Sequence, residues 1–382
     1  MKKVLFYNGI SNVILELIVW MIFLRDQGWS ISEIALLESV YTIFQMVFEL
    51  PSGIISDKIG HKNALALGEF LCGFYILSYF FAKIHFIIYA GFIMWSLGLS
   101  LISGTDVSLL YDTVTDKEQY LKYAGYFKTI GILAIALSDA TGGWIAEYSW
   151  NILFIIEMII RVIAIVVIFS MNSEEFNDNN DETSNIKDLV INVWNFACQN
   201  KKFRLLILSM GFSSAAVTLS HQYGPLILKN LGLKVGSVST IFGIISLIAA
   251  VIVGFTYKIT KRIIEDKVVK GLISMSIIAF LIFLVKNAVI TSIGLLVINV
   301  GFELWNVILE NQLQRIAPKK IRASIISSVY FIESILLTCG SWLISTLTMK
   351  VNISDALGML GTILLILSVI CIASLRRTKI RS

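Results

Sequence analysis

The sequence has little charge. Only 15% of its 382 residues are Asp, Glu, Lys or Arg, while 57% are hydrophobic and the mean hydropathy is +0.81. A soluble domain does not have this balance. Histidine is scarce as well: His61, His85 and His221 are the only three. There is no His-Glu-x-x-His run, no Gly-Lys-Ser/Thr phosphate loop and no cluster of metal ligands, which argues against a polytopic membrane enzyme. The four cysteines, Cys72, Cys198, Cys339 and Cys371, are scattered and suggest neither a disulfide framework nor a metal centre. No cofactor is expected. No cleavable leader pattern is visible either, since Met1-Lys2-Lys3 runs into an apolar helix without a small-residue cleavage site. The net charge of +5 is then a topology signal, not a sign of nucleic-acid binding.

What is present is a series of apolar runs of about 20 residues, each long enough to cross a bilayer core of about 30 Å. Twelve spans follow, at 4–24, 31–55, 63–82, 86–111, 120–145, 149–171, 203–228, 236–258, 268–286, 288–311, 322–347 and 354–375. With both termini in the cytoplasm, roughly 23 of the 31 Lys and Arg fall on the inner side, among them Lys58, Lys62, Lys201, Lys202, Arg262 and Arg322. The fold class is an all-α polytopic membrane protein. Abundant Ile, Asn and Lys hint at a bacterial source, hence the cytoplasmic cell membrane. The long connection, 172–202, opens with an acidic polar stretch. It continues with Ile186, Leu189, Val190, Val193, Trp194 and Ala197 at helical spacing, an amphipathic helix for the cytoplasmic interface. The expected domains are a six-helix bundle at 1–171, this linker, and a second six-helix bundle at 203–382.

Between the second and third spans stands Gly53-x3-Asp57-x2-Gly60-His61-Lys62. This spacing resembles the signature loop of the major facilitator superfamily, with His61 where the family usually has Arg. A plain basic hairpin with incidental glycines is the alternative. Weak repeats support the resemblance. Gly254-x3-Lys258-x2-Lys261-Arg262 and Gly301-x-Glu303 each lie about 200 residues after Gly53-x3-Asp57 and Gly104-x-Asp106, as parallel halves would. The resemblance implies twelve helices in two six-helix pseudo-repeats. It also implies a gating role for Gly53, Asp57, Gly60, His61 and Lys62, with Asp112 contacting the loop through Lys62 or Lys58.

Ionisable groups within spans are costly and usually face a cavity or a partner. Asn8, Asn12 and Glu16 form a stripe on the first span. Asn299, Glu303, Asn306 and Glu310 form another on the tenth. Asp106, Asp139, His221 and Glu333 lie on the fourth, fifth, seventh and eleventh spans. The resemblance arranges these helices around one central pathway. Glu157 and Arg161, an i, i+4 pair with the acid first, read as a structural pair. Two departures weaken an antiporter assignment. Met94, not Arg, precedes Gly98 by one turn, and Ser138-Asp139-Ala-Thr-Gly142-Gly143 has Asp where drug/proton antiporters carry Pro.

The resemblance, together with these features, implies a monomeric secondary transporter in a lipid bilayer, working by alternating access on a small molecule. The expected role is proton-coupled efflux of an organic or drug-like compound. Desolvation favours the neutral form of a carboxylate, which would let Glu16 or Glu303 exchange a proton for a cation. A proton- or ion-coupled importer of the same fold is the alternative, and a non-transporting receptor or membrane enzyme a more distant one.

Overall fold

A computed structural model describes residues 1–114, 117–171, 196, 198–260, 265–316 and 322–379. Its regular elements are helical: α1 Lys2–Ser11, α2 Trp20–Asp26, α3 Ile31–Ile59, α4 His61–Ser78, α5 His85–Ile102, α6 Thr105–Thr113, α7 Lys117–Tyr148 and α8 Trp150–Phe169. They continue as α9 Lys201–Asn230, α10 Val235–Thr260, α11 Glu265–Ile282, α12 Ala288–Ile316, α13 Arg322–Leu347 and α14 Ile353–Lys379. Among the described residues, eleven helices are long and apolar enough to cross a membrane. The first span is different. It is broken into α1 and α2, with turns but no helix between them. The amphipathic stretch expected at 186–197 lies almost wholly outside the described residues, as does much of the loop copy after Gly254.

Local chemistry sets the helix ends. Ser30 caps α3 by accepting from the Glu33 N–H, and Glu33 answers to the Ser30 N–H, a reciprocal capping box. The side chains of Ser149 and Asn200 cap α8 and α9 by accepting from the Ile152 and Phe203 N–H groups, without the reciprocal bond. Gly60, at φ 82°, is the single residue between α3 and α4, a left-handed position that favours glycine. Gly104, at φ 80°, separates α5 from α6 and interrupts the fourth span.

α8 illustrates how a membrane helix inverts the usual pattern. Its apolar Ile155, Ile159, Val162, Val166 and Phe169 are exposed, while Glu157 and Arg161 are buried. Apolar groups lose nothing in lipid, whereas charges must find partners inside the protein.

The described chain forms two compact units. The first comprises Met1–Asn177 with Gly232–Leu247; the second comprises Asp178–Leu231 with Ile248–Ser382. One end of the first unit is an aromatic core. Trp20 and Phe23 of α2 meet Phe92 and Phe154, Tyr79 stacks on Phe154 at 4.8 Å, and Tyr75 stacks on Trp95 at 4.5 Å. α4 and α5 approach closely where Gly68 faces the Gly98 carbonyl. In the second unit, α9 is the hub. The Ser209 and Ser368 hydroxyls join it to α14 at 2.8 Å, and Gly211 lies against Ile332 of α13.

Candidate functional site

The break in the first span organises the first unit. No Gly or Pro occurs in Asn12-Val-Ile-Leu-Glu16-Leu-Ile-Val19, so local propensity does not demand it. Other helices supply what the missing helical turn would have given. The Ile14 N–H donates to Ser138 Oγ of α7 at 3.3 Å, and the Leu15 N–H to Glu157 Oε2 of α8 at 2.9 Å. The Ser11 and Val13 carbonyls accept from Arg161 at 3.0 and 2.9 Å. Backbone groups away from water need such partners. Gly142 lets α7 come close enough, since a Cβ there would stand 1.9 Å from the Leu15 oxygen. The expected stripe Asn8, Asn12, Glu16 is therefore not one helical face. Asn8 donates to the Phe127 carbonyl, Asn12 folds back on Asn8, and Glu16 sits within the break.

Arg161 is saturated. Nε and Nη2 donate to Glu157 Oε1 at 3.1 and 2.6 Å, Nη1 donates to Glu69 Oε2 at 3.1 Å, and the two carbonyls take the remaining N–H groups. A guanidinium has five N–H donors, and all five are used. On the far side of Glu69, Oε1 accepts from Tyr7 and Ser11 of α1. The pair expected to be local is thus the centre of a buried cluster joining α1, α4 and α8. Glu16 is also buried and lies within electrostatic range of Glu157 and Arg161. Among the described residues, neither of its oxygens has a hydrogen-bond partner of good geometry, and the Tyr75 hydroxyl of α4 is the neighbouring donor.

Glu69 was not among the expected site residues, although an acid inside the apolar third span meets the same criterion that singled out Glu16. Buried Glu38 of α3, facing Tyr41 and Tyr79, is a second omission. Between the break and α7 lies a cavity of about 340 Å³ walled by Val13, Leu15, Ile130, Leu133, Ala134, Leu137, Ser138 and Thr141.

Asp139 occupies a second seam, between α7 and the first half of α10. Its Oδ2 accepts from Ser246 at 2.8 Å and its carbonyl from Ser239, while Ser239 Oγ accepts the Gly143 N–H at 2.8 Å. Gly143 and Gly243 permit this contact; a Cβ on Gly143 would stand 2.4 Å from the Val235 oxygen. The Ser-Asp-Ala-Thr-Gly-Gly stretch therefore serves two partners, with Ser138 and Gly142 on the break and Asp139 and Gly143 on α10.

The other expected residues are placed as follows. Asp106 lies in the first turn of α6 and accepts from the Val107 N–H at 2.7 Å. In the second unit, Glu333 of α13 accepts from Thr218 of α9 at 3.0 Å, and Asn299 donates to the Leu295 carbonyl. Glu303 and Asn306 are half-buried on α12, and His221 half-buried on α9. In the loop, Gly53 has open space around it, His61 is half-buried, and Lys62 donates to the Met171 carbonyl beyond the end of α8. Lys3 does the same at Ser170, so two cations serve one helix C-terminus. The side chains of Asp57 and Asp112 lie outside the described residues.

Helices with buried charge and exposed apolar faces, one of them broken around a polar cluster, are the pattern of a polytopic membrane protein. The profile of the Major Facilitator Superfamily matches residues 4–341, and the chain belongs to that family. It is accordingly a multi-pass membrane protein of a family that includes transporters. An uncharacterised transporter of the same type from Bacillus subtilis, YxaM, is 27% identical over 255 residues, covering 64% of this chain and 62% of that one. The quinolone resistance protein NorA of Staphylococcus aureus is 26% identical over 165 residues, covering 43% and 41%. The matched regions thus span less than two thirds of either relative. Among solved structures, the nucleoside transporter NupG superposes with a TM-score of 0.78 at 12% identity, covering 98% of this chain and 97% of that one. The xylose transporter XylE from E. coli superposes with 0.66 at 11%, covering 96% and 93%. At such identities these two define the fold alone.

Proposed function

We propose that this chain is an exporter of the bacterial cell membrane that exchanges protons for a small organic compound, apolar or amphipathic and cationic. Its termini are cytoplasmic, it works as a monomer, and its two six-helix halves rock about a central site. Glu16 carries the reading. It is a buried carboxyl group with no hydrogen-bond partner of good geometry among the described residues, in a broken span whose Val13 and Leu15 wall a largely apolar cavity. An uncompensated charge in such a place is costly, and either a proton or a cationic cargo removes the cost. Glu303 of α12 is the second carrier. Partial likeness to a quinolone resistance protein supports export.

The test is flux of a lipophilic cationic dye in reconstituted vesicles under an imposed pH step. Wild-type flux should follow the step, and Glu16→Gln and Glu303→Gln should each transport without responding to it. If both variants keep the wild-type response, the assigned carriers are wrong. A wild type indifferent to the gradient refutes proton coupling, and dye moving down the proton gradient with the proton identifies an importer of the same fold.

A further inference from the structure

Three acids and one base are buried together around the break: Glu16, Glu69, Glu157 and Arg161. Glu69 and Glu157 only accept in this cluster, from Tyr7, Ser11, Arg161 and the Leu15 N–H. Both are ion-paired with Arg161. With all five donors in use, Arg161 has nothing left for Glu16. A third carboxylate there would stand uncompensated unless Arg161 gave up a partner. The weakest commitments of Arg161 are its two neutral ones, the carbonyls of Ser11 and Val13, because hydrogen bonds between ions are stronger.

Those carbonyls have an alternative. In a continuous helix, Ser11 O would accept from the Leu15 N–H and Val13 O from the Leu17 N–H. At present Leu15 donates to Glu157, and Leu17 makes only a long bond of 3.4 Å to the Ile14 carbonyl. The carbonyls of the broken stretch therefore have two sets of partners, one supplied by Arg161 and one by a rewound helix, in which Glu157 Oε2 gives up the Leu15 N–H. A two-state element of this kind can be biased by a ligand that favours one state.

We propose that the first span is a proton-operated switch in which Arg161 is the surrogate cation for an empty Glu16. This rests on the proton-carrier reading of Glu16. While Glu16 holds a proton or a cationic cargo, Arg161 stays on the Ser11 and Val13 carbonyls and the break persists. When the proton passes to water and no cargo replaces it, the guanidinium turns to the Glu16 carboxylate, and residues 12–19 rewind. Arg161 acts as a positioning residue. The ionisable groups facing Glu16 are Glu157 and Arg161 from α8 and Cys72, Tyr75 and Tyr79 from α4 and its end, with Glu38 of α3 behind Tyr79. The tyrosine hydroxyls bond each other at 2.6 Å.

The test is backbone amide exchange of residues 12–19 in the full chain in lipid nanodiscs without cargo, corrected for the chemical exchange rate. Between mildly acid and mildly alkaline buffer, protection at Leu15 and Leu17 should rise about tenfold in the wild type. Glu16→Gln should hold the acid value throughout. Glu69→Gln removes a competitor for Arg161, so its transition should move to more acid pH, which loss of mere packing would not cause. A wild type flat across pH, a Glu16→Gln variant that still responds, or an unmoved transition in Glu69→Gln each overturns the switch. A flat break with proton-driven flux refutes the switch alone. A responding break in a protein whose flux ignores the gradient upholds the switch and refutes the exporter.

Discussion

Arg161 shows how much one side chain can hold, and how little of that its neighbours in sequence reveal. The i, i+4 spacing announces Glu157, and that ion pair forms at 2.6 Å. It says nothing of Glu69, 92 positions away, or of two carbonyls about 150 positions away in the first span. Such contacts depend on which helices meet, which no local period encodes. Arg161→Gln should strand two buried carboxylates and lower stability by about 3–5 kcal/mol, read as a large fall in the unfolding temperature of the detergent-purified protein. Ser138→Ala touches the same break more lightly. It removes one long bond to the Ile14 N–H, and a loss of about 1 kcal/mol is expected. Equal unfolding temperatures for Arg161→Gln and the wild type would mean that the cluster does not hold the first span.

At the scale of elements, hydropathy locates helices but averages over their interruptions. The spans expected at 149–171 and 203–228 correspond to α8 and α9 within a few residues at most ends. The first does not, because the break comes from Gly142, Ser138, Glu157 and Arg161 on other helices and not from any breaker in its own sequence. α7 offers a clean comparison among its glycines. Gly142→Ala would drive a methyl group into the Leu15 carbonyl, and Gly143→Ala into Val235 of α10, whereas Gly125 has nothing within 4 Å. Overpacking at the first two should cost about 1–3 kcal/mol each. Gly125→Ala should be neutral or stabilising by up to about 1 kcal/mol, since Ala is the better helix former. Thermal unfolding of the three variants side by side checks the order. A Gly142→Ala protein as stable as Gly125→Ala would show that the broken span does not lie against α7.

At the scale of the whole molecule, fold class and helix order were legible because lipid imposes a simple rule, about 20 apolar residues per crossing. Orientation was legible only as an expectation, from the basic residues. A lone cysteine at Asn179, in the 172–202 linker, should resist an impermeant thiol reagent applied to intact cells, and rapid labelling would invert the topology. The carboxylates divide differently: Glu16 and Glu303 drew notice through polar neighbours at helical spacing, whereas Glu69 stands alone among apolar residues. The broken first span also bears on how the protein is made. Trp150–Phe169 has a mean hydropathy of 3.0, higher than any other span among the described residues, so it can enter the bilayer despite Glu157 and Arg161. The first span, in pieces of 10 and 7 residues, has no comparable signal of its own. Its loose N–H and carbonyl groups must wait, during synthesis, for the sixth span to leave the ribosome. Nascent chains cut before Ser149 should therefore be cleared by membrane quality control, and chains cut after Met171 should survive longer. The protein's N-terminal crossing is completed last in its half, by a helix made more than a hundred residues later.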